Sequence, residues 1–250
     1  MRIYFRNIRK GYHYGQTTGL YVSRTFGGDC HYCGIDGVLM PALQLAREQG
    51  KRAVCLNNLK QLTLAWIVYA NENDDKLVNG DTGGYANHDN EIPWVDGTGG
   101  NPVEKRDAIQ NGALWPYCLI IKLYRCTSSS PADLRTYSVV DAMNCRVFND
   151  GPMLKKRMQI KRPSGRFVFA DRRGTTEHGW SVYYREEKWA DPPPVQHGDG
   201  ATWAFADGHS KYWKWKDQRT YTTDSGGGIV SLGNEDLHNA QRAAWGKLGY

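Results

Sequence analysis

His197, Asp199, Asp207 and His209 stand in one short stretch near the C-terminus. They are of the types that bind a divalent metal, since imidazole and carboxylate suit zinc or manganese. His197, Asp199 and His209 are accordingly the candidate ligands of a metal-dependent enzyme. Their spacing matches no established ligand set, and Asp207-Gly208 serves equally as a hairpin corner with loop histidines bonded to it. Toward the other end, Cys30 and Cys33 make a Cys-x-x-Cys pair around His31. A zinc knuckle needs two more ligands at workable spacing, and a thioredoxin-like site needs a βαβ setting; neither is offered. Asp74, Asp75 and Asp81 lack the fixed spacing of an EF-hand loop, so a solvated turn is expected. With no Gly-x-Ser-x-Gly elbow and no phosphate loop in the chain, the expectation is a protein that is not an enzyme and takes no cofactor.

The aromatic series Trp203, Phe205, Tyr212, Trp213 and Trp215 has two readings. It is either a stacking platform, with Trp213 and Trp215 the candidate contacts of a carbohydrate-binding body, or core and cross-strand partners of a sheet.

Periodicity indicates the elements that position these residues. Cys55, Leu59, Leu62, Trp66 and Tyr69 recur at alternating steps of four and three, the stripe of an amphipathic helix, while Arg47, Glu48, Lys51, Arg52 and Lys60 take other positions. The pattern predicts a helix from about Ala42 to Ala70, ended by the polar run Asn71 to Asp75. Beyond Leu77, turn pairs such as Asn79-Gly80, Asp96-Gly97 and Asp150-Gly151 dominate, with short strands between them. The segments "RFVFADR" (166–172) and "TWAFADGHSKYWKW" (202–215) read as strands, the second as two runs folded about Asp207-Gly208. The stretch "EDLHNAQRAAWGKL" (235–248) reads as a terminal helix. The expected fold is α+β: a long N-terminal helix packed on a strand-rich body.

The 250 residues are 40% apolar with 28 glycines, a globular composition. Their net charge of +6 is spread over several segments, which argues against a nucleic-acid partner, because a phosphate-tracking surface needs its basic residues on one face. No run of 18 apolar residues occurs, so the chain as written is expected to lack a membrane span. Six cysteines without an apolar signal core leave the redox compartment open.

Three stretches together carry a resemblance. His197, nine intervening residues, then Asp207-Gly208 resembles the His-x9-Asp-Gly element near the C-terminus of a bacterial prepilin-type family related to type II secretion pseudopilins. The segment "LMPALQLAREQGKRAVCLNNLKQLTLAWIVYANEND" (39–74) is similar to the stretch immediately after that family's membrane-embedded signal, and "GALWPYCLIIKLYRC" (112–126) is similar to its middle. The family carries a class III signal before "LMPAL", and residues 1–37 depart from it. Asp, Cys, His and Tyr codons all end in T or C, so residues 19–36 read one base later are compatible with "GFTLVELLVVIAIIAVLM", the string the family has there. Cys30 and Cys33 then become products of a shifted frame.

The resemblance implies three parts: an out-of-frame remnant over 1–37, a spine helix over 38–76, and an α+β body over 77–250 with the His-x9-Asp-Gly element at 197–208. It implies a structural, non-catalytic subunit whose helix packs with other pseudopilins or copies of itself, anchored in the inner membrane with a periplasmic body. Gly19 stands where the family is cut but lacks the following Phe and later Glu. Prepilin peptidase is therefore not expected to process this chain, which as written should stay in the cytoplasm. In exported relatives, Cys126 and Cys145 are the expected disulfide.

Overall fold

The computed structural model describes residues 33–83, 88, 90–97, 99–146, 151–172, 178–221 and 228–250, with side chains from Leu39 onward. Cys30, His31 and Gly19 lie outside the described residues, as does the shifted-frame segment apart from its last residues. The chain divides into two compact units, Met1–Pro41 and Ala42–Tyr250. In the first, the described residues are helical from Cys33. The second contains the body.

Helix α1 runs Cys33–Glu72, starting earlier than the Ala42 expected from the apolar pattern and continuing through Pro41. Periodicity reports which face is buried, and the residues from Leu39 to Arg47 are all exposed, so the start of the helix has no apolar stripe to announce it. The predicted stripe is the buried face: Cys55, Leu59, Leu62 and Trp66 are fully covered, and Tyr69 packs half-buried beside them. The helix ends in a turn where Asp74 and Asp75 take positive φ and the Asp75 amide donates to the Ala70 carbonyl. The Asp75 carboxylate accepts from Arg157 and from the Met158 amide, so it secures the helix end to the body.

Two helices follow that a turn-rich reading of the body leaves out: α2, Pro102–Asn111, and α3, Trp115–Cys118. The signal for α2 is present in the sequence. Asn101 accepts from the Val103 and Glu104 amides while Glu104 reaches back to the Asn101 amide, a capping box with proline at the first helical position. The strands are β1 (Tyr137–Val139), β2 (Phe167–Asp171), β3 (Lys188–Trp189), β4 (Gly200–Phe205), β5 (Ser210–Lys214) and β6 (Ile229–Val230). Between and after the last of them come α4, Gln218–Tyr221, and α5, Glu235–Trp245. β1, β2, β4 and β5 form an antiparallel sheet in the order β1-β2-β4-β5, and β3 pairs with β6. The fold is α+β, as expected.

The sheet separates two cores. One face meets α1 through Tyr137, Val139, Val168, Phe169 and Ala204. The other carries Phe167, Ala170, Trp203 and Phe205 and meets α5 through Leu237, Ala240 and Ala244. Phe167 and Phe169 are two residues apart and should share a face, but the β2–β4 register shifts between them. This irregularity sends Phe167 toward α5 and Phe169 toward α1.

Candidate metal centre

The His-x9-Asp-Gly stretch spans strand β4. Asp207 and Gly208 form the β4–β5 corner: Gly208 has φ +96°, its amide donates to the Phe205 carbonyl, and the Phe205 amide in turn donates to the His209 carbonyl. The expected hairpin is present, and its corner lies on α1, where a Cβ at Gly208 would stand 3.4 Å from Ile67 and 3.5 Å from Leu64. At the other end, His197 has φ +63°, a left-handed conformation that an ordinary side chain adopts only where its surroundings hold it. Arg52 of α1 and Tyr212 of β5 both donate to its carbonyl, at 2.8 and 3.2 Å. Midway, the Ser210 hydroxyl donates to the Leu56 carbonyl. From Arg52 to Leu64 a helix rises about 18 Å at about 1.5 Å per residue. From Gly200 to Phe205 a strand rises about 17 Å at about 3.3 Å per residue. The stretch thus meets α1 at both ends.

This geometry separates the sequence-predicted ligands. His197 precedes β4 and His209 precedes β5, so the two sit at opposite ends of one strand. Asp199 is bound to Lys214 at 2.5 Å and to the Tyr212 hydroxyl at 2.6 Å. His209 is bound to Asp207 at 2.5 Å and stacks on Phe205. The set His197, Asp199, His209 therefore does not converge.

His197 converges instead with residues that no local spacing links to it. Cys55 comes from α1, Cys126 from the loop after α3, and Asp171 from the end of β2. With His197 they offer donor atoms that all lie within 4.8 Å of one another, and all four residues are buried. The sulfurs of Cys55 and Cys126 are 3.0 Å apart. His197 Nε2 is 3.2 Å from Cys126 Sγ and 3.8 Å from Asp171 Oδ2. Its Nδ1 faces outward, 2.7 Å from Glu48 Oε1 and 3.3 Å from the Ser128 hydroxyl. Backbone amides point at both sulfurs, Thr127 to Cys55 at 3.2 Å and Ser128 to Cys126 at 3.4 Å. Thr202 donates to Asp171 Oδ2, whereas Asp171 Oδ1 is buried without a protein hydrogen bond.

The electrostatics follow from burial among acids. Hydrogen bonding from the Cys126 thiol pulls Cys55 far below the usual thiol range, to about 3, against its burial. The same interaction, with burial and the nearby Asp171 charge, pushes Cys126 up. Burial pushes Asp171 up to about 7. Burial alone would lower His197, but Cys55, Glu48 and Asp171 outweigh it and raise it.

A cleft of about 420 Å³ opens beside the cluster, lined by Glu48, Ser128, Gln196 and His197 among others. Neither cysteine lines it, and both are fully buried. Cys126, His197 and Glu48 thus align as a nucleophile, base and orienting acid would, but with the sulfur out of reach of a substrate.

The remaining sequence-predicted residues are also placed. Cys126 has Cys55 as its sulfur neighbour rather than Cys145, and all three are free thiols. Cys145 packs against Gly179, where an added Cβ would meet its sulfur at 2.4 Å. Of the aromatic series, Trp203 and Trp215 are fully buried, and the Trp215 indole donates to the Pro194 carbonyl, so both are core. Trp213 and Tyr212 are partly exposed. No helix among the described residues is long and apolar enough to cross a membrane. Comparison with protein-family models, with curated proteins and with solved structures finds no match.

Proposed function

We propose that this chain is a structural, non-catalytic subunit of the pseudopilin type, which assembles with copies of itself or with related subunits through α1. The observation that carries the reading is the set of exposed apolar side chains along that helix, which Leu64 and Val68, at 46% and 41%, continue beyond Cys55. From Cys55 to Trp66 its stripe is closed into the core of the body. Before Cys55, Leu43, Leu45 and Val54 are 47%, 65% and 46% exposed, apolar side chains left for neighbouring helices to cover. The brace from His197 to Gly208 fits this role, because a spine helix transmits load to its body only where the two are firmly joined. In this reading residues 19–36 stand for an apolar anchor hidden by a slipped frame, and the intact form sits in the inner membrane with its body in the periplasm.

The test places single cysteines at Leu43 or Leu45 in a chain with its reading frame restored, and applies a bifunctional thiol cross-linker in cells. Ladders from these positions, absent from a Met158→Cys control on the exposed body, are the expected result. Equal cross-linking from helix and body, or none from the helix, would overturn the assignment.

A further inference from the structure

We propose that Cys55, Cys126, Asp171 and His197 are the four ligands of one divalent transition metal, zinc by donor type, which fastens α1 to the sheet. The inference goes beyond the subunit reading and does not depend on it.

Donor chemistry is the first argument. Two sulfurs, an imidazole nitrogen and a carboxylate oxygen are the mix a tetrahedral zinc site takes, and four protein donors close it against substrate. Two sulfurs about 2.3 Å from a tetrahedral zinc stand about 3.8 Å apart. The observed 3.0 Å therefore has to widen by only about 0.8 Å.

The surroundings are the second argument. A metal-bound histidine presents one nitrogen to the metal and gives its other N–H to a carboxylate. His197 is placed this way, Nε2 inward and Nδ1 on Glu48. Two backbone amides aim at the sulfurs, as they would at thiolates. Asp171 Oδ1 is buried and unpartnered, a costly state in a dry core that a cation relieves. A disulfide between Cys55 and Cys126 would leave this carboxylate oxygen and His197 Nε2 without a role.

Charge and access also agree. No lysine or arginine stands among the four ligands. Two thiolates, one carboxylate and a neutral imidazole around a divalent ion leave one negative charge, to which the Glu48 carboxylate on Nδ1 adds and which the Arg52 guanidinium on the His197 carbonyl offsets. The protons that the cysteines and Asp171 hold leave to water as the metal enters. The cleft at Glu48 and Ser128 reaches the His197 side of the site and supplies the way in.

The experiment titrates the reduced, metal-free full chain with cobalt(II), then displaces the cobalt with zinc. Expected are saturation at one cobalt per chain, a sulfur-to-cobalt charge-transfer band and the intense visible absorption of tetrahedral coordination. All three should persist in a Cys30→Ser/Cys33→Ser variant and be lost or altered in Cys126→Ser. Glu48→Gln, which touches no metal, should keep the far-ultraviolet circular dichroism of the parent and weaken binding by about 10- to 100-fold. The proposal is overturned if the folded reduced chain gives no such spectrum, if Cys30 and Cys33 prove necessary for it, or if Cys126→Ser leaves it unchanged. It is equally overturned if intact mass and thiol labelling show the native protein with a Cys55–Cys126 disulfide and no metal.

Discussion

The two faces of the β1-β2-β4-β5 sheet are built on different principles. On the α5 side the core is aromatic: Trp203 stacks on Phe167 at 3.9 Å between centroids, and Trp180 and Trp215 meet it edge-on. On the α1 side the apolar packing is interrupted by four ionisable groups, Cys55, Cys126, Asp171 and His197. Each face also has a fully buried carboxylate near it, each with its Oδ1 lacking a hydrogen bond, and the two differ in what meets the other oxygen. Asp141, between Val140 and Ala142 of the aromatic core, has a cation of its own, Arg146 at 3.1 Å, and the Ser181 hydroxyl. Asp171 has no lysine or arginine beside it among the described residues and is met by Thr202, the Cys126 thiol and the edge of His197. A core that buries area is held by dispersion and exclusion of water. A core that buries acids without a fixed cation is held by whatever neutralises them.

The largest effect that tests this contrast is Trp203→Ala. Removing a fully buried indole from the aromatic face should cost about 3–5 kcal/mol, read as a lower urea midpoint at unchanged slope. Zinc should matter on the other face only. At about 100 times its dissociation constant it should stabilise the parent by about 2.7 kcal/mol, and stabilise Trp203→Ala by the same amount, since the sites lie in separate cores. His197→Ala should show no gain. A zinc effect abolished by Trp203→Ala would mean that the two faces do not act independently.

Asp141 gives a smaller effect, with a sign set by its surroundings. Burial outweighs Arg146 and Ser181 and raises its pKa from 3.8 to about 6. Between those values the folded chain holds a proton the unfolded chain has released, so stability contributed by this group is complete below about pH 4 and falls as pH rises through about 6. The loss is of the order of 3 kcal/mol, at about 1.4 kcal/mol per unit. Measured between pH 4 and 7, this component of the slope should vanish in Asp141→Asn. A parent and variant with superimposable pH profiles would place the titration elsewhere.

The α1 stripe, β2, the β4–β5 hairpin and α5 are legible in the sequence because each is a local pattern: a period of 3.6, alternation, a turn dipeptide, a polar run before an apolar one. The candidate metal centre is not. In sequence Cys55 reads as a stripe position, Asp171 as the end of a strand, Glu48 as a solvated helix position and Cys126 as half of a pair with Cys145. Only His197 stands out, and its sequence neighbours Asp199 and His209 do not converge with it in the fold. The true neighbours of His197 come from α1, the loop after α3 and β2, and only folding brings them together. Sequence spacing indicates a site when one element supplies several ligands, and here each element supplies one. α2 is a different kind of miss, since the Asn101-Pro102-Val103-Glu104 box marks its start but is easily lost among the glycine turns.

The smallest effect concerns the joint between the two regions. Gly208 holds φ +96°, where an L residue is strained, and a new Cβ there would touch Ile67 at 3.4 Å, an ordinary contact. Gly208→Ala should therefore cost about 1 kcal/mol through backbone strain rather than collision. The penalty should fall on the hairpin corner, raising amide hydrogen exchange at Phe205 and Gly208, whose N–H groups close the turn, more than at the buried positions of α5. Cobalt affinity should stay at the parent value, because His197 is held by Arg52 and Tyr212 at the far end of β4. Should loosening the corner weaken metal binding as well, β4 would be acting as a rigid lever between the two ends of the element, and the brace along α1 would be one mechanical unit instead of two independent fastenings.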